Sequence, residues 1–166
     1  MLVTDEQLHE ASAKLGQGLK ARGERIVTAE SCTGGWLAKS LTDHAGSSAF
    51  VDSGLVTYSN HAKQELLGVT AQSLEEHGAV SEPVVREMVA GAVAITGADL
   101  AVAISGIAGP DGGTPDKPVG TVWFAWGRSP ADTEAVVQVF SGDRDTVRRQ
   151  AVLFALQGVR SFVEDS

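Results

Sequence analysis

Apolar residues recur along the chain in two periods, and the switches between them divide it into alternating helices and strands. Over residues 5–22, Leu8, Ala11, Leu15 and Leu19 fall at helical spacing with Lys, Glu and Gln between them, which predicts an amphipathic helix. Thr4 stands where an N-cap belongs and Gly23 where a helix stops. Residues 25–29 read as a short buried strand. The pattern breaks at Glu30 and Ser31 and resumes as a helix near Thr33, running to about Asp43. After a small polar loop at residues 44–48, Phe50, Val51, Leu55, Val56 and Tyr58 mark a second strand. Gly54 within it signals a bulge or a close backbone approach. Two short helices are predicted next, from His61 to Leu67 and from Thr70 to His77, each followed by a glycine.

Ser81, Glu82 and Pro83 open a longer helix with Pro in its first turn. It runs to about Thr96, with Val85, Met88, Val89, Ala92 and Ile95 as the expected inner stripe. Residues 99–105 are almost wholly apolar and predict a central strand covered on both faces. Residues 106–118 are too rich in Gly and Pro for regular structure. Strands near residues 119–126 and 134–140 are close enough to form an antiparallel hairpin. Gly142 and Asp143 open a last helix carrying Val147, Val152, Leu153, Leu156, Val159 and Phe162. Strands that alternate with helices early and pair directly late predict one α/β domain over residues 1–166. The expected architecture is a three-layer α/β/α sandwich with a mixed, mostly parallel sheet. In such folds ligands sit beyond the carboxyl ends of the strands, where Ser31, Ser105 and the Gly-rich loop are expected to converge.

That placement gives the break after the first strand a chemical meaning. N–H groups left free at a strand-to-helix junction stabilise an anion or a developing oxyanion. Ser31 is then a candidate nucleophile, with Cys32, Thr33, Gly34 and Gly35 supplying N–H groups and close substrate approach. The alternative is that Ser31 or Thr33 only caps the helix. Cys32 is a rival nucleophile, or else a small buried hydrophobe. None of His9, His44, His61 and His77 is paired with a carboxylate orienter, and the G-x-S-x-G pattern is missing. Lys63 is the better base: in the first turn of a short helix, and if buried, it loses its proton more easily. Its alternative is a solvated surface lysine. Tyr58 precedes it at a strand end, placed to relay a proton or to form part of an aromatic edge. Gly46 to Ser48, Ser105 with Gly106, and Gly109 to Gly113 offer hydroxyl and N–H donors to phosphate or sugar oxygens, or form ordinary turns. Arg144 opens the last helix, where it serves an anion or pairs with Asp143 or Asp145.

Composition narrows the partners. The 166 residues carry 13 Lys and Arg against 21 Asp and Glu, a formal charge of −8, which argues against a nucleic-acid surface. A single cysteine excludes an intrachain disulfide and a Cys-rich zinc site, and no His/Cys/Asp/Glu set has metal-ligand spacing. No membrane span or signal peptide is expected, and reducing cytoplasm is the simplest compartment. Trp123, Phe124 and Trp126 on one late strand hint at a buried or subunit surface, and a homodimer is expected.

Taken together, these segments resemble the CinA C-terminal domain family. The likeness rests on residues 28–35 (Thr-Ala-Glu-Ser-Cys-Thr-Gly-Gly), 54–60 (Gly-Leu-Val-Thr-Tyr-Ser-Asn) with Lys63, and 78–81 (Gly-Ala-Val-Ser). It extends through 105–110 (Ser-Gly-Ile-Ala-Gly-Pro), 112–115 (Gly-Gly-Thr-Pro), 118–122 (Pro-Val-Gly-Thr-Val) and the Gly142-Asp143-Arg144 segment. Several long motifs in order are far more specific than any one. The resemblance implies hydrolysis of the carboxamide of nicotinamide mononucleotide (NMN) to nicotinic acid mononucleotide and ammonia, with neither metal nor organic cofactor. It implies Ser31 as nucleophile and Lys63 with Tyr58 in proton transfer. Ser48, Ser105 and Arg144 match ligand-binding positions; Ser105 stands where family members often carry Thr, and both hydroxyls donate the same bond. Two rival readings stay open at this point: a non-catalytic nucleotide-binding module, and a serine amidase for another small amide. Glu30 has no role in any of them.

Overall fold

The computed structural model describes residues 2–166. Its elements follow in the order α1 (Asp5–Arg22), β1 (Ile26–Glu30), α2 (Trp36–Thr42), a 3-10 turn (Ser47–Ala49), β2 (Val51–Val56), α3 (Asn60–Leu67), α4 (Ala71–His77) and α5 (Glu82–Thr96). They continue with β3 (Leu100–Gly106), β4 (Thr121–Gly127), β5 (Glu134–Val139) and α6 (Arg144–Glu164). The sheet order is β2-β1-β3-β4-β5. β1 pairs in parallel with both β2 and β3, and β4 pairs antiparallel with β3 and β5. Four strands therefore point one way and β4 alone opposes them, in a mixed sheet with helices on both faces.

The two faces differ in residue size. Ile26, Leu100, Val102, Ile104, Phe124 and Trp126 fill one face with bulk under α1, α2 and α6. Val27, Ala29, Ala101, Ala103 and Ala125 leave the other nearly flat, and Val84, Val85, Met88, Val89 and Ala92 of α5 settle onto it. Small strand residues let a helix approach closely enough to exclude voids. The predicted stripe of α5 holds except at Ile95, which lies in the last turn, beyond the last buried residue Ala92, and is exposed.

The ends of the elements are set by local chemistry. Thr4 and Gln7 form a reciprocal capping box at the start of α1, and Gly23 ends it in a left-handed conformation. Ser59, Thr70 and Asp143 each accept from an N–H of the third residue after them, opening α3, α4 and α6. One start was misplaced: α2 begins at Trp36, and the residues from Ser31 to Gly35 form two successive turns closed by Gly34 N–H to Ser31 C=O at 3.1 Å and Trp36 N–H to Thr33 C=O at 3.0 Å. Neither Ser31 nor Thr33 caps a helix. Gly54 provides the predicted close approach, since a Cβ there would lie 2.7 Å from Ala38 Cβ. Pairing continues one residue past the strands on this edge. Ser31 N–H donates to Ile104 C=O and Thr57 N–H to Glu30 C=O, both at 2.9 Å, and so the residues of the site inherit the register of the sheet.

Candidate active site

The carboxyl ends of β1, β2 and β3 frame a pocket of about 270 Å³ lined by Ser31, Cys32, Tyr58, Lys63, Ser105 and Arg144, among others. Lys63 is 1% exposed and stands in the first turn of α3 with its side chain turned inward. Its Nζ lies 2.9 Å from Ser31 Oγ, 2.9 Å from Thr57 C=O and 3.1 Å from Tyr58 C=O. Among the described residues no carboxylate lies within ion-pair distance of it. Burial lowers its pKa from 10.5 to about 8. Three acceptors around a lysine suit two states. An ammonium donates to all three. A neutral amine donates its two N–H bonds to the two carbonyls and presents its lone pair to the Ser31 hydroxyl, which is the geometry of a general base.

The same environment separates Ser31 from Cys32. Burial pushes the Cys32 thiol up to about 12, so it stays protonated and packs in the core as a small apolar group. A thiolate there would push Lys63 back up; a thiol does not. Tyr58 is 58% exposed, and its hydroxyl accepts a hydrogen bond from Arg144 Nη2 at 3.0 Å. What Tyr58 offers Lys63 and Ser31 is its backbone carbonyl, which also lies 3.3 Å from Ser31 Oγ. The contact from Lys63 to Ser31 is therefore direct, without the tyrosine hydroxyl between them. Arg144 also donates to Gly109 C=O at 2.8 Å, joining the start of α6 to the Gly-rich loop at the mouth of the pocket.

Glu30 acquires a role. It is fully buried, and its carboxylate accepts from Thr28 Oγ1 (3.1 Å), Thr33 Oγ1 (2.7 Å), Leu37 N–H (2.9 Å) and Ala38 N–H (3.0 Å). Gly35, at the N-cap of α2, has no side chain to offer; the carboxylate from the end of β1 caps the helix in its place and neutralises the positive end of its dipole. This changes which N–H groups remain for a ligand. Those of Leu37 and Ala38 are spent on Glu30, and that of Gly34 is spent on Ser31 C=O. Among the described residues, no hydrogen bond is formed by the N–H groups of Cys32, Thr33 and Gly35; the first two directly follow Ser31.

The structure brings together Ser31, Cys32, Tyr58, Lys63, Ser105, Gly106 and Arg144 around one pocket; Thr33, Gly34 and Gly35 lie just behind it and line a second, larger cavity. It separates Gly46 and Ser48 from them. Gly46 precedes and Ser48 lies within the 3-10 turn that enters β2, beside the start of β1, where Phe50 C=O accepts from Ile26 N–H. Because β1 and β2 are parallel, the entrance to one lies at the opposite edge from the exit of the other, on the order of 16 Å away along five residues of strand. Ser48 C=O instead receives Arg25 Nη1 at 2.8 Å. Of the histidines, His44 bonds Ser12 at 2.7 Å and stacks on His9, and none lines the pocket. The sequence reading missed Arg148, whose guanidinium reaches the loop of Ser31 from behind. It is one of two adjacent arginines on a helix more than a hundred residues away, and no local pattern distinguishes it.

Comparisons with known proteins agree with the motifs. A family model described as CinA C-terminal domain matches residues 8–163. The chain is 58% identical over 155 residues to nicotinamide-nucleotide amidohydrolase PncC of Escherichia coli strain K12, covering 93% of this chain and 94% of that one. It is 54% identical over 164 residues to nicotinamide-nucleotide amidohydrolase PncC of Enterobacter agglomerans, covering 98% and 100%. A crystal structure of a CinA superfamily protein from Klebsiella pneumoniae superposes with a TM-score of 0.92 at 45% identity, covering 96% of this chain and 99% of that one. The chain belongs to the CinA C-terminal domain family.

Proposed function

We propose that this protein is a nicotinamide-nucleotide amidohydrolase that cleaves the carboxamide of NMN with a serine nucleophile and a lysine base. The observation that carries the mechanism is the 2.9 Å contact between Ser31 Oγ and a buried Lys63 whose other two acceptors are carbonyls. The near full-length likeness to amidohydrolases of that name carries the substrate.

The chemistry follows from the geometry. Neutral Lys63 takes the hydroxyl proton as Ser31 Oγ bonds to the amide carbon. The carbonyl oxygen gains the electron pair and is stabilised by the free N–H groups of Cys32 and Thr33, each contributing roughly 3–4 kcal/mol in comparable sites. Lys63 returns the proton to the amide nitrogen, the C–N bond breaks and ammonia leaves. Water then gives its proton to Lys63 and bonds to the acyl carbon. The Ser31 ester bond breaks, and Oγ recovers that proton. The products are the nicotinic acid nucleotide and ammonia, with every atom supplied by substrate and water. Arg144, at the rim with Tyr58 Oη, holds the substrate phosphate, and Ser105 and Gly106 form the adjoining wall.

The test is ammonia release from NMN by purified protein. Ser31→Ala should abolish release while binding of NMN persists. Retained activity in Ser31→Ala with loss in Cys32→Ala would overturn the assignment. A nucleotide-binding module without catalysis would bind NMN and release nothing.

The reading places the enzyme in a reducing compartment such as the cytoplasm, which suits its single buried thiol. Among the described residues no helix is long and apolar enough to cross a membrane. We also propose a homodimer. Phe124 and Trp126 turn out to belong to the core, but Trp123 remains half-buried beside exposed Val137 and Val139, an apolar patch on the outermost hairpin. Light scattering at several concentrations tests it, and a mass of one chain throughout would refute it.

A further inference from the structure

We infer that Arg148 is a positioning residue for this reaction, one that aims the oxyanion-binding N–H groups from the opposite side of the loop; the inference rests on the amidase reading above. Arg148 lies in α6 and takes no part in the pocket of Ser31. It lines a separate cavity of about 680 Å³ together with Thr33, Gly34, Gly35 and Trp36. Its Nε donates to Cys32 C=O at 2.9 Å and its Nη2 to Thr33 C=O at 3.2 Å. Among the described residues these are its only hydrogen bonds, and no carboxylate pairs with it. A half-buried guanidinium is thus committed to two consecutive backbone carbonyls of the loop that follows the nucleophile.

Peptide planarity turns that hold into an aim. In a trans peptide the C=O and the following N–H point in opposite directions. Fixing Cys32 C=O toward Arg148 therefore fixes Thr33 N–H away from it. Fixing Thr33 C=O likewise directs Gly34 N–H, which closes on Ser31 C=O at 3.1 Å. Ser31 C=O belongs to the peptide whose N–H is that of Cys32, so this second plane sets the direction of the other free donor. One guanidinium thus orients the N–H groups of Cys32 and Thr33, the two unengaged donors that directly follow Ser31. An arginine suits the task because its donors form a rigid fork; a lysine presents one mobile point charge and cannot hold two carbonyl planes at once.

Arg149 supplies the control. Arg148 and Arg149 both place a guanidinium over the Trp36 ring, at 5.6 and 5.0 Å, but Arg149 bonds to Asp5 and makes no bond to the loop. A role confined to packing α6 against α2 would belong to both arginines; a role in aiming the loop belongs to Arg148 alone.

The experiment measures kcat and KM for NMN, as ammonia release, in the wild type and in Arg148→Ala, Arg148→Lys and Arg149→Ala, each checked for folding by circular dichroism. Arg148→Ala and Arg148→Lys should lose about 10- to 100-fold in kcat, less than the roughly 100- to 1,000-fold of deleting an oxyanion donor outright. KM should stay within about 2-fold, since the ground-state carbonyl uses these donors least. Low, non-denaturing guanidinium should restore part of the kcat of Arg148→Ala by entering the space its side chain leaves in the open cavity, and should leave Arg148→Lys and the wild type unimproved. Arg149→Ala should keep wild-type kcat. A kcat for Arg148→Ala within about 2-fold of wild type, a loss confined to KM, or an equal loss in Arg149→Ala would overturn the inference. Should the wild type release no ammonia from NMN, the substrate reading fails by itself. The rate at which a fluorophosphonate labels Ser31 then decides the role of Arg148: slower labelling in Arg148→Ala than in Arg149→Ala supports it, and equal rates or no labelling of the wild type overturn it.

Discussion

Two glycine-rich loops leave neighbouring parallel strands at the same edge of the sheet, and they are built in opposite ways. The loop after β1, residues 31–35, is buried at Ser31, Cys32 and Thr33 and is held on one side by the Glu30 carboxylate and on the other by the Arg148 guanidinium. The loop after β3 is exposed from Pro110 to Asp116 and is tied down mainly at its ends, by Ile107 N–H to Thr121 C=O and by Arg144 to Gly109 C=O. Both are short of side chains, yet one is clamped on both sides and the other is held mainly at its ends. The difference lies in two charged groups brought from outside the first loop, not in the loops' own composition. Reacting atoms demand placement to a fraction of an ångström, whereas a wall that follows the substrate gains from compliance.

The largest break in this contrast should come from removing the base that the fixed loop faces. Lys63→Met should lower kcat/KM by about 10²- to 10⁴-fold. In the wild type kcat/KM should rise about tenfold per pH unit and level off above about pH 8, because only neutral Lys63 accepts the proton. Stability carries the same signature. The folded pKa of Lys63 is depressed, so below about pH 8 both folded and unfolded chains hold the proton and the full cost of burying it is present. Between about 8 and 10.5 the folded chain has released it and the unfolded chain has not, so stability rises with pH, by about 3 kcal/mol in all. Urea denaturation of wild type against Lys63→Met over that range measures the difference. A gap that does not change with pH would show that Lys63 is not the desolvated amine described here.

Next in size is the carboxylate that holds the fixed loop in front. Glu30→Gln replaces an oxygen with an NH₂ group facing a backbone N–H and a hydroxyl donor, leaving an N–H of α2 buried and unpaired. It should cost about 2–4 kcal/mol of stability and loosen the loop. Urea midpoints test it, and a loss under about 1 kcal/mol would mean that water replaces the lost acceptor.

Much of this was legible in the sequence. Helix starts that depend on a residue and its third neighbour are written in adjacent letters: Thr4 and the Gly142-Asp143 pair mark two of them in the sequence, and the structure supplies their partners, Gln7 and Thr146. Ser31 and Ser105 could be nominated because strand ends on one edge converge whatever the details, and Lys63 and Arg144 because a cation in the first turn of a helix opposes the dipole there. What escaped notice has a common cause. Glu30 caps a helix that begins six residues later only because the chain doubles back over the end of β1. Arg148 reaches across 116 residues to Cys32. Gly46 and Ser48 carry suitable donors on a turn at the wrong edge, and only strand direction reveals it. Residue type and spacing announce interactions within a turn or two of chain; those set by the path of the backbone between elements become visible only with the fold.

The smallest effect gives the sharpest form of the comparison, because one substitution can be made in both loops. Gly34 and Gly112 both have positive φ, +60° and +95°. An added Cβ would meet Arg148 Nη2 at 3.3 Å in the first case and Ile107 Cγ2 at 3.4 Å in the second. The left-handed backbone costs an alanine about 1–2 kcal/mol at either place. What differs is how the strain is relieved. At Gly112 the exposed loop shifts, so Gly112→Ala should leave kcat within about 2-fold and alter only KM. At Gly34 the new methyl presses on the guanidinium that aims the loop, and any shift of the backbone moves the Cys32 and Thr33 donors with it. Gly34→Ala should therefore lower kcat by about 10-fold with KM little changed. Equal kcat values for the two variants would mean that the Ser31 loop is as compliant as the other, and that the hold of Glu30 and Arg148 on it does not reach the reacting atoms.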